Sequence, residues 1–449
     1  MPLNLILSPP SSQSIAKRAL ICAALADGVT ILEGSFLSQD LQVMVDSLRR
    51  LGMKINQDSK HGRIEIIGQN GIFPVDEEYI DVDNSILTAN FLTATLAFSR
   101  GIYRINGDKR VQQYPMGDLI FALNQLGADV RSESSYDTLP LLVEGIVGRD
   151  GVSPSSQRYG INAMMHNTGA RYAALTGTAT YLYASAILLA SPLAATDAQV
   201  ELHFVNQLCC NPYVMMTLDV MREFGVDVPI KSHPDDALLF SKGTTYIIPR
   251  GIKYKPHEFR IESDASLANY AFAAAAIAGG SVTVRNLSDN SIQKELEFVY
   301  CMQRMGCRIE YVDQSVRVTR QEPGLLRGIS VDMEDLTDSI QTFAACALFA
   351  TSPSRVTNIA HIRHCEPGRI EKLCAELRKF GAKINEFEDG FLIIPPEELT
   401  PATIEADGDP RLVMSLGLIG LRIDGVKIDS ADCVRRSWSD FFHEIGLDY

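Results

Sequence analysis

Six times along the chain, a stretch of helical period closes on an apolar residue, a glycine and the start of an alternating segment. The closures are Leu51-Gly52-Met53-Lys54-Ile55, Leu126-Gly127-Ala128-Asp129-Val130, Phe224-Gly225-Val226-Asp227-Val228, Met305-Gly306-Cys307-Arg308-Ile309, Phe380-Gly381-Ala382-Lys383-Ile384 and Ile445-Gly446-Leu447-Asp448-Tyr449. A glycine just past a helix can take the left-handed conformation that caps it and turns the chain into a strand. The segments that feed the helices, 28–34, 101–106, 280–286, 355–359 and 425–428, alternate apolar and polar residues as half-buried strands do. The pattern predicts an internally repeated α/β protein. Loops at equivalent positions in the repeats are then expected to converge and to carry the chemistry.

A chain of 449 residues exceeds what one hydrophobic core usually serves and points to two domains, and 46% hydrophobic residues is ample for packing. The longest apolar stretch, 181–195, is short and contains Pro192, so it reads as a buried helix. The first ten residues lack the basic region and long apolar core of a signal peptide, and a cytoplasmic protein is expected. The nine cysteines are scattered and embedded in apolar text, as reduced core residues are. Cys209-Cys210 has no second pair at zinc-like spacing, and His361 with His364 has no partner in register, so no metal is expected. A formal net charge of −14 with no basic stripe argues against nucleic acid as a partner, although local loops can still be positive.

Arginines recur at the strand-to-helix loops: Arg18, Arg110, Arg363 and Arg369 around Glu366, Arg411, and Arg435-Arg436. Any one of them reads as a solvated charge. Their recurrence at one topological position predicts planar forks converging on a substrate with more than one anionic group. Asp338 and Glu366 are the carboxylates placed to act as base and acid there. Asp338 also precedes the apolar helix of residues 340–350 and so doubles as a candidate N-cap, whereas Asp264, before Ala265-Ser266-Leu267, reads as a cap.

Several runs taken together, Pro10-Ser11-Ser12-Gln13-Ser14-Ile15-Ala16-Lys17-Arg18, 107–117 with Arg110, Asp264-Ala265-Ser266-Leu267-Ala268-Asn269-Tyr270, Asp338, 363–369, Asp409-Pro410-Arg411 and 433–442, resemble the 5-enolpyruvylshikimate-3-phosphate synthase family in order and over nearly the whole chain. The resemblance implies the enolpyruvyl transferase fold, with two lobes each of three βαβαββ repeats, six in all, and a ligand cleft between the lobes. It implies that residues 1–11 and 261–449 form one lobe and 12–260 an inserted second. It implies transfer of the enolpyruvyl group of phosphoenolpyruvate to a hydroxyl of shikimate 3-phosphate, with release of phosphate, no cofactor and no metal, in a monomer without membrane association. Carried over by position, phosphoenolpyruvate binding falls on Arg110, Arg369, Arg411, Gln13 and Arg436. Acceptor binding falls on Ser14, Arg18, Thr180, Tyr181, Tyr213 and His361. Proton transfer falls on Asp338 and Glu366.

The chain departs from the family pattern at specific contacts. Gln13 replaces a lysine, Asn84-Ser85-Ile86-Leu87-Thr88-Ala89-Asn90 replaces a segment with a glycine at Ile86 and an arginine at Asn90, and Thr180-Tyr181-Leu182 replaces Ser-Ser-Gln. Cys365, Pro410 and Arg436 replace a lysine, a histidine and a lysine. Lys17, four residues after Gln13, is a substitute by charge but not by direction. The departures leave three readings: the same reaction in a divergent form, the same chemistry on a flatter or less charged hydroxyl acceptor, and a silent ligand-binding paralogue.

Overall fold

The computed structural model describes residues 2–34, 38–146, 170–175, 181–205, 211–233, 243–321, 326–365 and 368–449. Contacts divide the chain into two compact units, Met1–Ser12 with Glu262–Tyr449, and Gln13–Ile261.

The unit Gln13–Ile261 holds three four-stranded sheets with the order Glu258–Arg260, Asp27–Glu33, Arg63–Gln69, Lys54–Asp58; Glu77–Asp81, Ile102–Asn106, Leu141–Glu144, Asp129–Ser132; and Ala170–Leu175, Gln199–Val205, Gly243–Ile248, Ile230–His233. In each, the first two strands run parallel and the next two pairings are antiparallel. The other unit repeats this order in Leu3–Leu7, Gly280–Arg285, Ser315–Arg320, Arg308–Val312 and in Ser330–Asp332, Ser354–Thr357, Gly390–Ile394, Lys383–Phe387. A sixth sheet has only the parallel pair Thr403–Ile404 and Lys427–Ile428.

A parallel pair needs a long crossover. In four sheets it is a helix between the two strands: Ile86–Ala97, Tyr181–Ala194, Ile340–Ala347 and Pro410–Gly417. In the other two the parallel partners are exchanged along the chain. Leu3–Leu7 pairs with Gly280–Arg285, and Glu258–Arg260 pairs with Asp27–Glu33. The two places where the chain leaves and rejoins its first unit are bridged there, Ser11 to Ser263, with the Ser12 N–H donating to the Glu262 carbonyl at 2.9 Å.

The crossover helices are buried nearly all round, which suits their almost uniformly apolar or small side chains. Ala265–Ala278 is the centre of its unit, packed on the strand Gly280–Arg285 and on the helix Ile340–Ala347. Outer helices such as Gln39–Arg50 and Arg369–Lys379 bury one stripe and expose a charged face.

All six closing glycines have the left-handed φ that the pattern required: Gly52 at 88°, Gly127 at 100°, Gly225 at 81°, Gly306 at 107°, Gly381 at 93° and Gly446 at 82°. The sixth closure nevertheless does not start a strand. Residues 447–449 carry no strand; the Tyr449 ring packs edge-on against Phe442 at 4.9 Å, and its hydroxyl donates to the Gly417 carbonyl at 2.8 Å. The helix Tyr181–Ala194 runs through Pro192, which lies in its last turn and does not end it. Among the described residues no helix is long and apolar enough to cross a membrane.

Candidate active site

In the unit Met1–Ser12 with Glu262–Tyr449, three crossover helices begin near one another, and the chemistry sits at their starts. Ala265–Ala278 is capped by Asp264, whose carboxylate accepts from the Leu267 N–H at 3.1 Å. Pro410–Gly417 is capped by Asp409, which accepts from the Arg411 N–H at 2.8 Å. Asp264 is therefore the cap its sequence suggested.

Asp338 is not a cap. It lies in the 3-10 turn Thr337–Ser339, and Ser339 holds the N-cap position of Ile340–Ala347. That frees its carboxylate to face two arginines: Oδ1 lies 3.0 Å from Arg411 and 3.9 Å from Arg369. The Arg369 side chain is 6% exposed, and it also donates to the Thr337 carbonyl at 3.2 Å and to Gln341 Oε1 at 3.3 Å. Gln341 in turn donates to Asp409 at 3.1 Å, which ties the Arg369 and Arg411 helix starts together. Arg411 is 43% exposed, so one guanidinium is locked and the other open.

Behind this cluster is a residue that sequence reasoning missed. Glu295 is buried, accepts from the Asp338 N–H at 3.2 Å and from the Ser339 hydroxyl at 2.6 Å. Burial, and then the nearby Asp338 charge, push its carboxyl up to about 8. Burial likewise raises the Asp264 carboxyl. Nothing in Lys294-Glu295-Leu296-Glu297 separates Glu295 from an ordinary solvated acid.

Glu366 lies outside the described residues. His361 stands in the helix Ala360–Cys365, with its Nε2 buried and without a hydrogen-bond partner among the described residues. Arg363 pairs with Glu371 and donates to the Phe387 carbonyl at 3.1 Å. Arg436 ends the 3-10 turn Ala431–Arg436, and its side chain lies outside those described.

In the unit Gln13–Ile261, the helix Gln13–Leu25 carries Ser14 and Arg18 one turn apart. Arg18 is fully buried and donates to Thr217 Oγ1 at 2.7 Å, to the Ser14 carbonyl at 2.8 Å, and to Ser185 Oγ and the Tyr213 carbonyl at 3.2 Å. Its guanidinium also lies 5.4 Å from the Phe91 ring centroid. Each of these partners is neutral, and burial pulls the guanidinium down to about 10. Tyr181 and Tyr213, at the starts of their helices, stack at 4.6 Å with an interplanar angle of 21°. Ser14, Arg18, Tyr181 and Tyr213 thus form one cluster; Thr180 lies outside the described residues.

Gln13 opens the helix and is half-buried. Lys17 does not replace it. Its fully buried ammonium pairs with Asp40 and donates to Ser85 Oγ at 2.9 Å, at the cap of Ile86–Ala97. Asn90, where the family pattern has an arginine, is buried and donates to the Ile86 carbonyl at 2.8 Å. Arg110 is exposed at the start of the 3-10 turn Val111–Gln113, and no carboxylate among the described residues is paired with it.

One unit thus offers a carboxylate set between a locked and an open guanidinium, the other a buried guanidinium beside stacked tyrosines. Each cluster gathers charged and polar side chains at helix starts of an α/β unit. The solved structure of an EPSP synthase from Acinetobacter baumannii superposes with a TM-score of 0.78 at 20% identity, covering 99% of this chain and 95% of that one, which shows a shared fold. Residues 1–445 match the family described as EPSP synthase (3-phosphoshikimate 1-carboxyvinyltransferase). A 3-phosphoshikimate 1-carboxyvinyltransferase from Nostoc punctiforme is 33% identical over 443 residues, covering 98% of this chain and 95% of its own length. The chloroplastic protein of that name from Arabidopsis thaliana is 32% identical, covering 97% of this chain and 81% of its own length. The chain belongs to the EPSP synthase family.

Proposed function

We propose that this chain transfers the carboxyvinyl group of phosphoenolpyruvate to a hydroxyl of shikimate 3-phosphate and releases phosphate. Membership of the family over nearly the whole chain supports the reaction, and the observation that carries it is Asp338 set against both Arg369 and Arg411. Arg110, Arg369 and Arg411 hold the carboxylate and phosphate of phosphoenolpyruvate. Gln13 and Arg436 complete that set. Ser14, Arg18, Tyr213 and the Thr180-Tyr181 segment hold the acceptor, with His361 in support.

Asp338 takes the proton of the acceptor hydroxyl as its oxygen bonds to C2 of phosphoenolpyruvate, and Glu366 delivers a proton to the methylene carbon. The resulting tetrahedral ketal then loses a proton from that carbon back to Glu366 and expels phosphate, which restores the double bond, and the proton taken by Asp338 leaves with the phosphate. The locked Arg369 guanidinium aids this step because it needs no reorganisation as charge develops. The protein acts as a monomer in the cytoplasm, on small anionic substrates and without nucleic acid, in keeping with its net charge of −14.

The test is phosphate release from phosphoenolpyruvate with and without shikimate 3-phosphate. Release that depends on the acceptor is expected, and absence of release with both substrates present overturns the reading. The stacked Tyr181–Tyr213 pair favours one second reading, the same chemistry on a flatter hydroxyl acceptor. It holds only if a panel of hydroxyl compounds contains one that outperforms shikimate 3-phosphate.

A further inference from the structure

Of the side chains that hold the turn presenting Asp338, Glu295 makes two of the bonds. Glu295 receives the Asp338 backbone N–H on one oxygen and the Ser339 hydroxyl on the other. Asn269, from the buried helix Ala265–Ala278, completes the grip by donating to Ser339 Oγ at 2.8 Å and to the Glu295 carbonyl at 2.9 Å. A 3-10 turn has poorer internal hydrogen-bond geometry than an α-helix, so outside contacts do much to set its shape. Here one carboxylate fixes both the residue that carries the base and the residue after it.

We propose that Glu295 is a positioning residue for Asp338: its carboxyl group clamps the Thr337–Ser339 turn, and its charge is what Asp338 works beside. This rests on the reading of Asp338 as the base that takes the acceptor proton.

The geometry makes the clamp electrically active. Glu295 faces Asp338, Arg411 and Cys301. Asp264, Tyr270 and Arg369 lie around Asp338 on the packed helices. Burial and Asp338 keep Glu295 neutral up to about pH 8, so in the neutral range the pocket carries the Asp338 charge without a second carboxylate behind it. Above that pH, ionised Glu295 adds a like charge, which raises the proton affinity of Asp338 and repels an anionic substrate.

Two measurements on the full chain test this. In turnover with phosphoenolpyruvate and shikimate 3-phosphate, Glu295→Gln lowers kcat about 10- to 100-fold, as misplacement of a reacting group does. The KM values stay within about twofold, since Glu295 is buried behind Asp338. The parent's kcat/KM falls as pH rises through about 8, and the variant lacks that limb. In the substrate-free protein, carbon-13 carboxyl NMR shows a glutamate titrating in that range, absent from the variant, and the Asp338 amide resonance follows the titration.

Unchanged kcat and an unchanged pH profile in Glu295→Gln, or an Asp338 amide blind to the titration, overturn the proposal. If Glu295→Gln does not fold, Ser339→Ala, which removes one bond of the clamp, takes its place with an expected loss of a few-fold in kcat; no loss overturns the proposal. A parent that is inactive with shikimate 3-phosphate defeats the functional reading instead, and the NMR titration still decides for or against the clamp.

Discussion

Arg369 and Arg411 share the carboxylate of Asp338, whereas Arg18, in the other unit, is buried among hydroxyls, carbonyls and aromatic rings. Both arrangements satisfy guanidinium donors, but they leave different charges behind. Around Asp338 part of the positive charge is balanced internally, because its carboxylate pairs with both guanidiniums. Around Arg18 the described hydrogen-bond partners are neutral, so its charge is desolvated without a carboxylate among them. One region pairs opposite charges, and the other sets a buried charge among neutral groups.

The largest test of this contrast is Asp338→Asn, expected to lower turnover about 10²- to 10⁴-fold, the span of general acid–base contributions. Acceptor affinity, measured by calorimetry, should change little. Comparable losses in both would mean that the two clusters do not divide the work. Arg18→Gln should do the reverse. Losing a charge-assisted contact of about 1.5–3 kcal/mol weakens shikimate 3-phosphate binding roughly 10- to 100-fold and leaves phosphoenolpyruvate binding near the parent's.

A stability effect comes next. Lys17 is 0% exposed and its partner Asp40 is 39% exposed, so Lys17→Met is expected to lower unfolding free energy by about 1–3 kcal/mol, less than a wholly buried pair would lose. Urea denaturation measures it, and a large change in phosphoenolpyruvate affinity with no stability loss would return Lys17 to the substrate site. A further test is one of pH. Glu295 is raised from its ordinary 4.5 to about 8, so the folded state holds a proton that the unfolded state has already released. Stability therefore falls as pH rises from about 4.5 to about 8. Glu295→Gln should flatten the decline of Tm across that interval, and equal slopes would place the Glu295 carboxyl in the ordinary range.

Much of the fold was legible because its signals are local. A left-handed glycine after a helix is a property of that glycine and the turn before it, and all six adopted the expected φ. The closure at Gly446 shows where local signals stop: its backbone turns as expected, but no strand follows, and Tyr449 binds back to Gly417 instead. Resemblance reached Asp338, Arg369 and Arg411 because their loops keep recognisable neighbours. It did not reach Glu295, whose neighbours in sequence carry no sign that it is buried.

The sequence by itself determined the alternation of elements, the capping acid at Asp264, and the family to which the loops belong, since each is written in residues a few positions apart. Only the tertiary structure decided which charges meet. Glu295 and Asp338 are separated by 43 residues, and Arg18 and Thr217 by 199. Such pairs come together through the packing of buried helices, so no run of sequence contains them; whether an acid is a solvated charge or a neutral clamp is a property of its surroundings.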